Sequence, residues 1–199
     1  MGKEWLHELK LDGHRFQIVK DGRRVRLFGR KGGEWTKHLR HFAEAFCKLP
    51  CRSCTLDGDL VLPDADDVPD FEGLPSAVAT SRWEPVFFAF DLLYRDGRDL
   101  RSLSLVERKQ RLNRLVNRAD IRCLHLVQTF ENGKALLVAA EQHGLDGVVS
   151  KRRDAPYRSG SCPDWRKVKT TAWRDANRER WRLFERDGAT QKSRRSGEG

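Results

Sequence analysis

The stretch Glu8-Leu9-Lys10-Leu11-Asp12-Gly13-His14-Arg15 holds residue types that could do chemistry together. Side chains from Trp5 to Lys10 alternate as in a strand, which puts Glu8 and Lys10 on one face. Asp12-Gly13 is a turn signal, and Arg15 to Lys20 reads as the next strand. A lysine at a strand end, with a turn beside it and an arginine past the turn, is a candidate nucleophile when its amine is uncharged. The alternative is a solvated lysine next to a hairpin turn.

Other stretches supply groups that suit a nucleotide. Arg15 and Arg30 can bind phosphate as guanidinium forks. Asp59 can accept hydrogen bonds from ribose hydroxyls. Phe90 can stack on a base, or simply pack in the core. Asp146 places a carboxylate at a strand start. Lys167 and Lys169 are two apart on a strand, so both amines reach one face. The chemistry that fits is attack by Lys10 on an α-phosphate. Lys167 and Lys169 would favour the neutral amine by charge repulsion and stabilise the five-coordinate phosphorus. Magnesium held partly by a carboxylate would neutralise the triphosphate and orient pyrophosphate as leaving group.

The elements that must position these groups alternate strand and helix signals. Arg15 to Lys20, Asp21-Gly22 and Arg23 to Phe28 read as a hairpin. Arg30 to Gly33 is a basic, glycine-rich loop. Thr36 caps a helix whose apolar residues Leu39, Phe42, Phe46 and Leu49 recur at helical spacing, ended by Pro50. Thr55 to Leu62 is a strand with Asp57 and Asp59 on one face and leucines on the other. Pro63 to Pro69 is an acidic loop, and Asp70 to Thr80 a short helix burying Phe71, Leu74 and Val78. Val86 to Tyr94 is apolar enough for a central strand, followed by an Asp96-Gly97 turn. Ser104 and Glu107 make a capping box for a helix to about Arg118. Leu124 to Thr129 is a strand, Ala135 to His143 a helix stopped by Gly144, and Gly147 to Lys151 and Trp165 to Thr170 are strands. Mostly hairpin connections predict antiparallel sheets flanked by few helices, an α+β domain.

The 199 residues suffice for one domain with a tail. A formal net charge of +10 points to a polyanionic partner, nucleic acid above all. No apolar signal core or membrane-length run occurs, so a cytoplasmic protein is expected, associated with the nucleoid and not with a membrane. Five cysteines, an odd number, indicate no disulfide framework. Cys51-x-x-Cys54, with Cys47, His38 and His41 upstream, lacks a second C-x-x-C, and zinc there is disfavoured. From Trp173 onward Trp181, Leu183 and Phe184 are interleaved with Arg174, Arg178, Arg180, Arg182 and Arg186. Residues 173–187 are expected to dock on the domain formed by residues 1–172, and residues 188–199 to be disordered.

Taken together, several stretches resemble a known family. Lys10-Leu11-Asp12-Gly13-His14-Arg15 matches the K-x-D-G-x-R of covalent nucleotidyltransferases. Phe90-Asp91-Leu92-Leu93-Tyr94, Asp146-Gly147-Val148-Val149-Ser150-Lys151-Arg152 and Trp165-Arg166-Lys167-Val168-Lys169 follow in the family's order. Tyr157-Arg158-Ser159-Gly160 before Asp164-Trp165 adds to the likeness. The chain, from about Glu4 to Thr170, resembles the adenylation domain of an ATP-dependent DNA ligase of the bacterial end-joining type, with its ATP-grasp-like nucleotidyltransferase fold. The resemblance implies that Lys10 carries AMP, that Glu8 sits beside the adenine through its backbone, and that Arg15 and Arg30 hold the nucleotide or the DNA 5′-phosphate. It implies further that Asp59 binds ribose and shares a magnesium or manganese ion with Asp146, that Phe90 stacks on adenine, and that Lys167 and Lys169 contact the α-phosphate. Nicked or broken double-stranded DNA would be the substrate, with end-joining proteins as possible partners. Asp59 and Asp146 stand where the family usually has glutamates. About thirty residues follow Lys169, too few for the five-stranded OB-fold barrel that usually comes next. An RNA ligase or capping guanylyltransferase, and a non-catalytic DNA-end-binding accessory, remain as alternatives.

Overall fold

A computed structural model describes residues 4–62 and 84–177. The acidic loop and short helix expected within residues 63–80, and residues 178–199 of the basic tail, lie outside the described residues. Two sheets make up the domain. One has three strands in the order β1 (Trp5–Leu9), β8 (Gly147–Arg152) and β9 (Trp165–Lys169). The other runs β3 (Arg24–Gly29), β2 (His14–Asp21), β4 (Ser53–Val61), β5 (Val86–Arg95) and β6 (Arg98–Asp99), with β7 (Leu124–Leu126) also on β5. The α+β class is as expected.

The sheets depart from the expected pairing in two ways. The β5–β7 pair is parallel, because helix α2 (Leu105–Val116) carries the chain back across β5 before β7 begins. More consequential is Asp12-Gly13, which joins no hairpin. It passes the chain from one sheet to the other, since β1 pairs with β8 whereas β2 pairs with β3 and β4. Glycine is needed there for closeness: a Cβ on Gly13 would meet the Leu60 carbonyl oxygen and a Val61 methyl at 2.9 Å.

Turn chemistry explains the hairpins. Asp96 and Gly97 both have positive φ, 47° and 83°, as a two-residue type I′ turn requires. In the β2–β3 hairpin Asp21 pairs with Arg24, so the turn falls on Gly22-Arg23, one residue later than expected, with the positive φ at Gly22. Helix α1 is shorter than its apolar pattern suggests, Arg40–Ala45, followed by a 3-10 turn over Phe46–Lys48. Thr36 does not cap it: its hydroxyl accepts from Leu27 N–H (3.0 Å) and donates to Glu34 (2.9 Å). The Ser104–Glu107 capping box on α2 is present in full. Helix α3 (Gly133–Gln142) starts two residues early, under an Asn132 cap. A short helix α4 (Thr171–Ala176) follows β9.

The main core lies in the larger sheet, where Phe16, Ile18, Phe46, Leu56, Phe87 and Leu92 are essentially inaccessible. Phe46 meets Phe87 edge to face, centroids 5.9 Å apart, a geometry worth about 0.5–1.5 kcal/mol beyond burial. Arg108 of α2 is fully buried and grips Asp91 of β5 with two hydrogen bonds (2.8 and 3.1 Å). Behind the smaller sheet, Val148 packs on Leu136 and Ala140 of α3, and buried His7 shares a 2.8 Å hydrogen bond with Ser150. Both sheets thus have one face sealed by apolar packing, and the opposite faces are left to build a site.

Candidate active site

Alternation and register assign the exposed face of the smaller sheet. Glu8 pairs with Val149, Val149 with Lys167, Lys151 with Trp165, and Gly147 with Lys169. Pairing partners point the same way, so Glu8, Val149, Lys151, Trp165, Lys167 and Lys169 share a face. Lys10 joins them just past β1, where its N–H donates to the Gly147 carbonyl (2.9 Å). Gly147 has φ of +150°, and a Cβ there would strike the Val168 carbonyl oxygen. Only glycine allows Asp146, Lys10 and β9 to converge so closely.

This face and the larger sheet enclose a cleft of about 1050 Å3, lined by Glu8, Lys10, Arg15, Arg30, Asp59, Phe90 and Lys167 among others. Seven of the nine residues singled out in the sequence therefore meet in one place. The other two lie at its end. Asp146 is ion-paired with the Lys10 amine. The Lys169 amine lies 3.0 Å from the centre of the Trp173 ring.

The cleft is strongly electropositive, and its ionisable groups respond. Burial lowers the pKa of Lys167 below the usual lysine range; Asp59 opposes this, while Lys10, Arg15 and Arg30 add to it. Burial and the Lys10 charge lower that of Lys169 too. Burial pushes the Asp59 carboxyl up to about 6, with nearby Asp57 adding to the rise and Lys151, Arg15 and Lys167 resisting it. Burial works against the Arg15 charge, but Asp57 overcomes it and raises the guanidinium pKa further.

Several members of the site were not recognised in the sequence. Fully buried Asp57 accepts from Arg15 Nε (3.1 Å), Arg15 Nη2 (2.7 Å) and the Tyr157 hydroxyl (2.9 Å). The Arg15 guanidinium, so oriented, lies 5.4 Å from the Phe90 centroid and 5.5 Å from that of Trp165. Lys151 places its amine 4.2 Å from Phe90 and 4.0 Å from Trp165 while pairing with Glu8 (2.7 Å). Lys109 reaches the other Glu8 oxygen from α2. Burial disfavours the Glu8 charge, yet the two lysines hold its pKa below the usual carboxylate range. The Glu8 side chain is thus engaged within the protein, and Phe90 is 6% exposed, with both cations against its ring. Asp57 was legible in principle from its i, i+2 spacing to Asp59; Lys109 carried no local signal, because only the packing of α2 brings it to Glu8.

At the cysteine pair, Cys54 lowers the Cys51 pKa while Cys51 and burial push that of Cys54 up, and Cys47 donates to the Arg23 carbonyl (3.2 Å). Among the described residues no three His, Cys, Asp or Glu side chains gather as a metal-holding group. Among them, too, no helix is long and apolar enough to cross a membrane.

Two packed sheets around a lysine-rich, strand-built cleft are the architecture of a covalent nucleotidyltransferase domain. Comparison with known proteins agrees. The family described as "ATP dependent DNA ligase domain" matches residues 1–169. The multifunctional non-homologous end joining protein LigD of Pseudomonas aeruginosa is 41% identical over 169 residues, 83% of this chain and 20% of that protein. A probable DNA ligase of Streptomyces coelicolor is 38% identical over 179 residues, 81% of this chain and 34% of that one. Among solved structures, mycobacterial DNA ligase D complexed with ATP and MES superposes with a TM-score of 0.68 at 32% identity, over 83% of this chain and 54% of that chain. The chain belongs to the ATP-dependent DNA ligase domain family. It spans about a fifth of the LigD protein and a third of the Streptomyces ligase that it matches.

Proposed function

We propose that this chain forms a covalent lysyl-AMP on Lys10 from ATP and passes the AMP to the 5′-phosphate of broken duplex DNA, which the 3′-hydroxyl then seals. The observation that carries this reading is the convergence of Lys10, Lys167, Arg15 and Arg30 on one cleft, with Asp146 against the reacting amine. In the first step the Lys10 nitrogen attacks the α-phosphorus. An N–P bond forms, the α–β P–O bond breaks, and pyrophosphate leaves with its electron pair. Once the Asp146 carboxylate releases Lys10, the nitrogen attacks as the neutral amine from beside Lys167 and Lys169, and the proton it sheds on forming the N–P bond passes to solvent. Lys167, with Arg15 and Arg30, offers donors to the negative charge that builds on the phosphoryl oxygens. Arg15 is pre-oriented by Asp57 and Tyr157, so little reorganisation is required of it.

Asp146 and Asp59 suit a magnesium ion. One carboxylate touches the nucleophile and the other lines the cleft, and magnesium is commonly held by one or two carboxylates with substrate phosphates completing its shell. Bound there it would neutralise the triphosphate and favour departure of pyrophosphate. For the base, the Phe90 ring lies in the cleft wall, but a stacked adenine has to displace Arg15 or Lys151 from it. The net charge of +10 fits a duplex DNA partner, and the end-joining names of the relatives fit a role at breaks.

The test is a nicked duplex carrying a pre-formed 5′-adenylate, with parallel nicks in DNA and in RNA and parallel reactions with ATP and GTP on unmodified nicks. Sealing of the DNA nicks, with ATP as donor, is expected. Preference for GTP or for RNA would move the reading to a capping enzyme or an RNA ligase, and salt-sensitive DNA binding without any sealing would leave a DNA-end-binding accessory.

A further inference from the structure

The family match ends at Lys169, and the chain enters α4 at once. Thr170 closes the seam: its hydroxyl donates to the Leu145 carbonyl (2.8 Å) and accepts from Trp173 N–H (3.3 Å). Glu141 of α3 accepts from the N–H groups of Thr171 (2.9 Å) and Ala172 (3.0 Å). The first turn of α4 is thereby tied to α3 and to the loop that leads into Asp146. This fixes the indole of Trp173 against the Lys169 amine. Lys169 shares its face with Lys167 and sits opposite Gly147, beside the Lys10–Asp146 pair. Lys167 lines the cleft, whereas Lys169 is not among its lining residues.

We propose that Trp173 is a positioning residue that seats Lys169 outside the cleft until a nucleotide draws it in. The proposal rests on the reading of the cleft as an ATP site. The physical reason is charge. With the cleft empty, Lys169 faces the like charges of Lys10 and Lys167, partly offset by Asp146, and the electron-rich indole face, 3.0 Å from its amine, adds a compensating contact. An arriving triphosphate brings negative charge that competes for the same ammonium. The empty cleft is thus in a resting arrangement at two points, with Lys10 on Asp146 and Lys169 on Trp173. Nucleotide binding has to break the second contact, so the contact raises the apparent dissociation constant for ATP by roughly 2- to 30-fold, the range of a partly buried cation–π pair.

The experiment is calorimetric titration of the full chain with ATP, together with the KM and maximal rate of adenylation. Trp173→Leu keeps apolar volume without the π face; Trp173→Phe keeps a weaker one. The expected result is that the Leu variant binds ATP roughly 2- to 30-fold more tightly, that the Phe variant falls between, and that the adenylation change is carried by KM. Placed on Lys169→Gln, Trp173→Leu should then have no effect on ATP binding, whereas a purely structural role of Trp173 would lower the melting temperature in both backgrounds and leave binding alone. Unchanged or weaker ATP binding by the folded Leu variant, or an effect that persists without Lys169, overturns the proposal. If the Leu variant does not fold, the Phe variant decides by the same titration. A chain that binds ATP but forms no adenylate would sink the proposed function while the titration still judges Trp173; a chain that binds no ATP in either form sinks both.

Discussion

Asp59 offers a stability effect whose pH dependence can be read by removing one carboxyl. Burial pushes its carboxyl from the usual 3.8 to about 6. A raised carboxyl pKa means that the folded chain holds this proton more tightly than the unfolded chain does. The sign follows: below about pH 4 the group is protonated in both states and costs nothing. Between about pH 4 and 6 the unfolded chain gives up the proton while the folded chain keeps it, so stability falls, and it levels off above about 6. The difference between the two values corresponds to roughly 3 kcal/mol. Asp59→Asn removes the titration while keeping the shape. Urea unfolding of both proteins should therefore give curves that nearly coincide at pH 4 and separate across pH 4–6. The variant should be more stable by roughly 3 kcal/mol at pH 8. The same variant should adenylate poorly, because the penalty is the cost of burying a carboxylate in the cleft wall, only partly offset by Lys151, Arg15 and Lys167. A stability difference that is flat with pH, or that favours the wild type as pH rises, would refute the reasoning.

Two further perturbations act on the groups behind the cleft. Asp57→Ala strands the Arg15 guanidinium and the Tyr157 hydroxyl; Arg15 stays 31% exposed, so a loss of about 2–3 kcal/mol is expected in urea unfolding, below the 3–5 kcal/mol of a fully buried pair, together with a higher KM for ATP. Arg108→Met leaves Asp91 charged and wholly buried and should cost about 3–5 kcal/mol by the same assay, most of it recovered in Arg108→Met/Asp91→Leu.

Local signals were the legible part of this chain. Asp96-Gly97, Ser104 with Glu107, and Gly144 each act within a few residues, and each does what its chemistry demands. The two-residue alternation of β1 and β9 was equally readable, pairing Glu8 with Lys10 and Lys167 with Lys169, and the register through β8 brings the two pairs to one face. What escaped was decided by packing between distant elements. Asp12-Gly13 looks like a hairpin turn because a change of sheet leaves no local mark; the requirement is the closeness of Gly13 to Leu60. Thr36 resembles a cap but is drawn to Leu27 on a neighbouring strand. Glu8 and Lys109 meet only because α2 lies across β5 and reaches the floor of the cleft. Lys169 shares its face with Lys167 as expected, and the contact of its amine with the Trp173 ring had no signal in the sequence.

The central claim is that Lys10 becomes covalently bonded to AMP. Incubating the purified chain with α-labelled ATP and magnesium, then quenching in detergent and chelator, measures it directly. Label that survives alkali and is lost in hot acid, as a phosphoramidate demands, is expected on the wild-type protein, discharged by added pyrophosphate and missing from Lys10→Ala. Label that survives in Lys10→Ala, or a wild-type chain that binds ATP in the cleft and never becomes labelled, would contradict it.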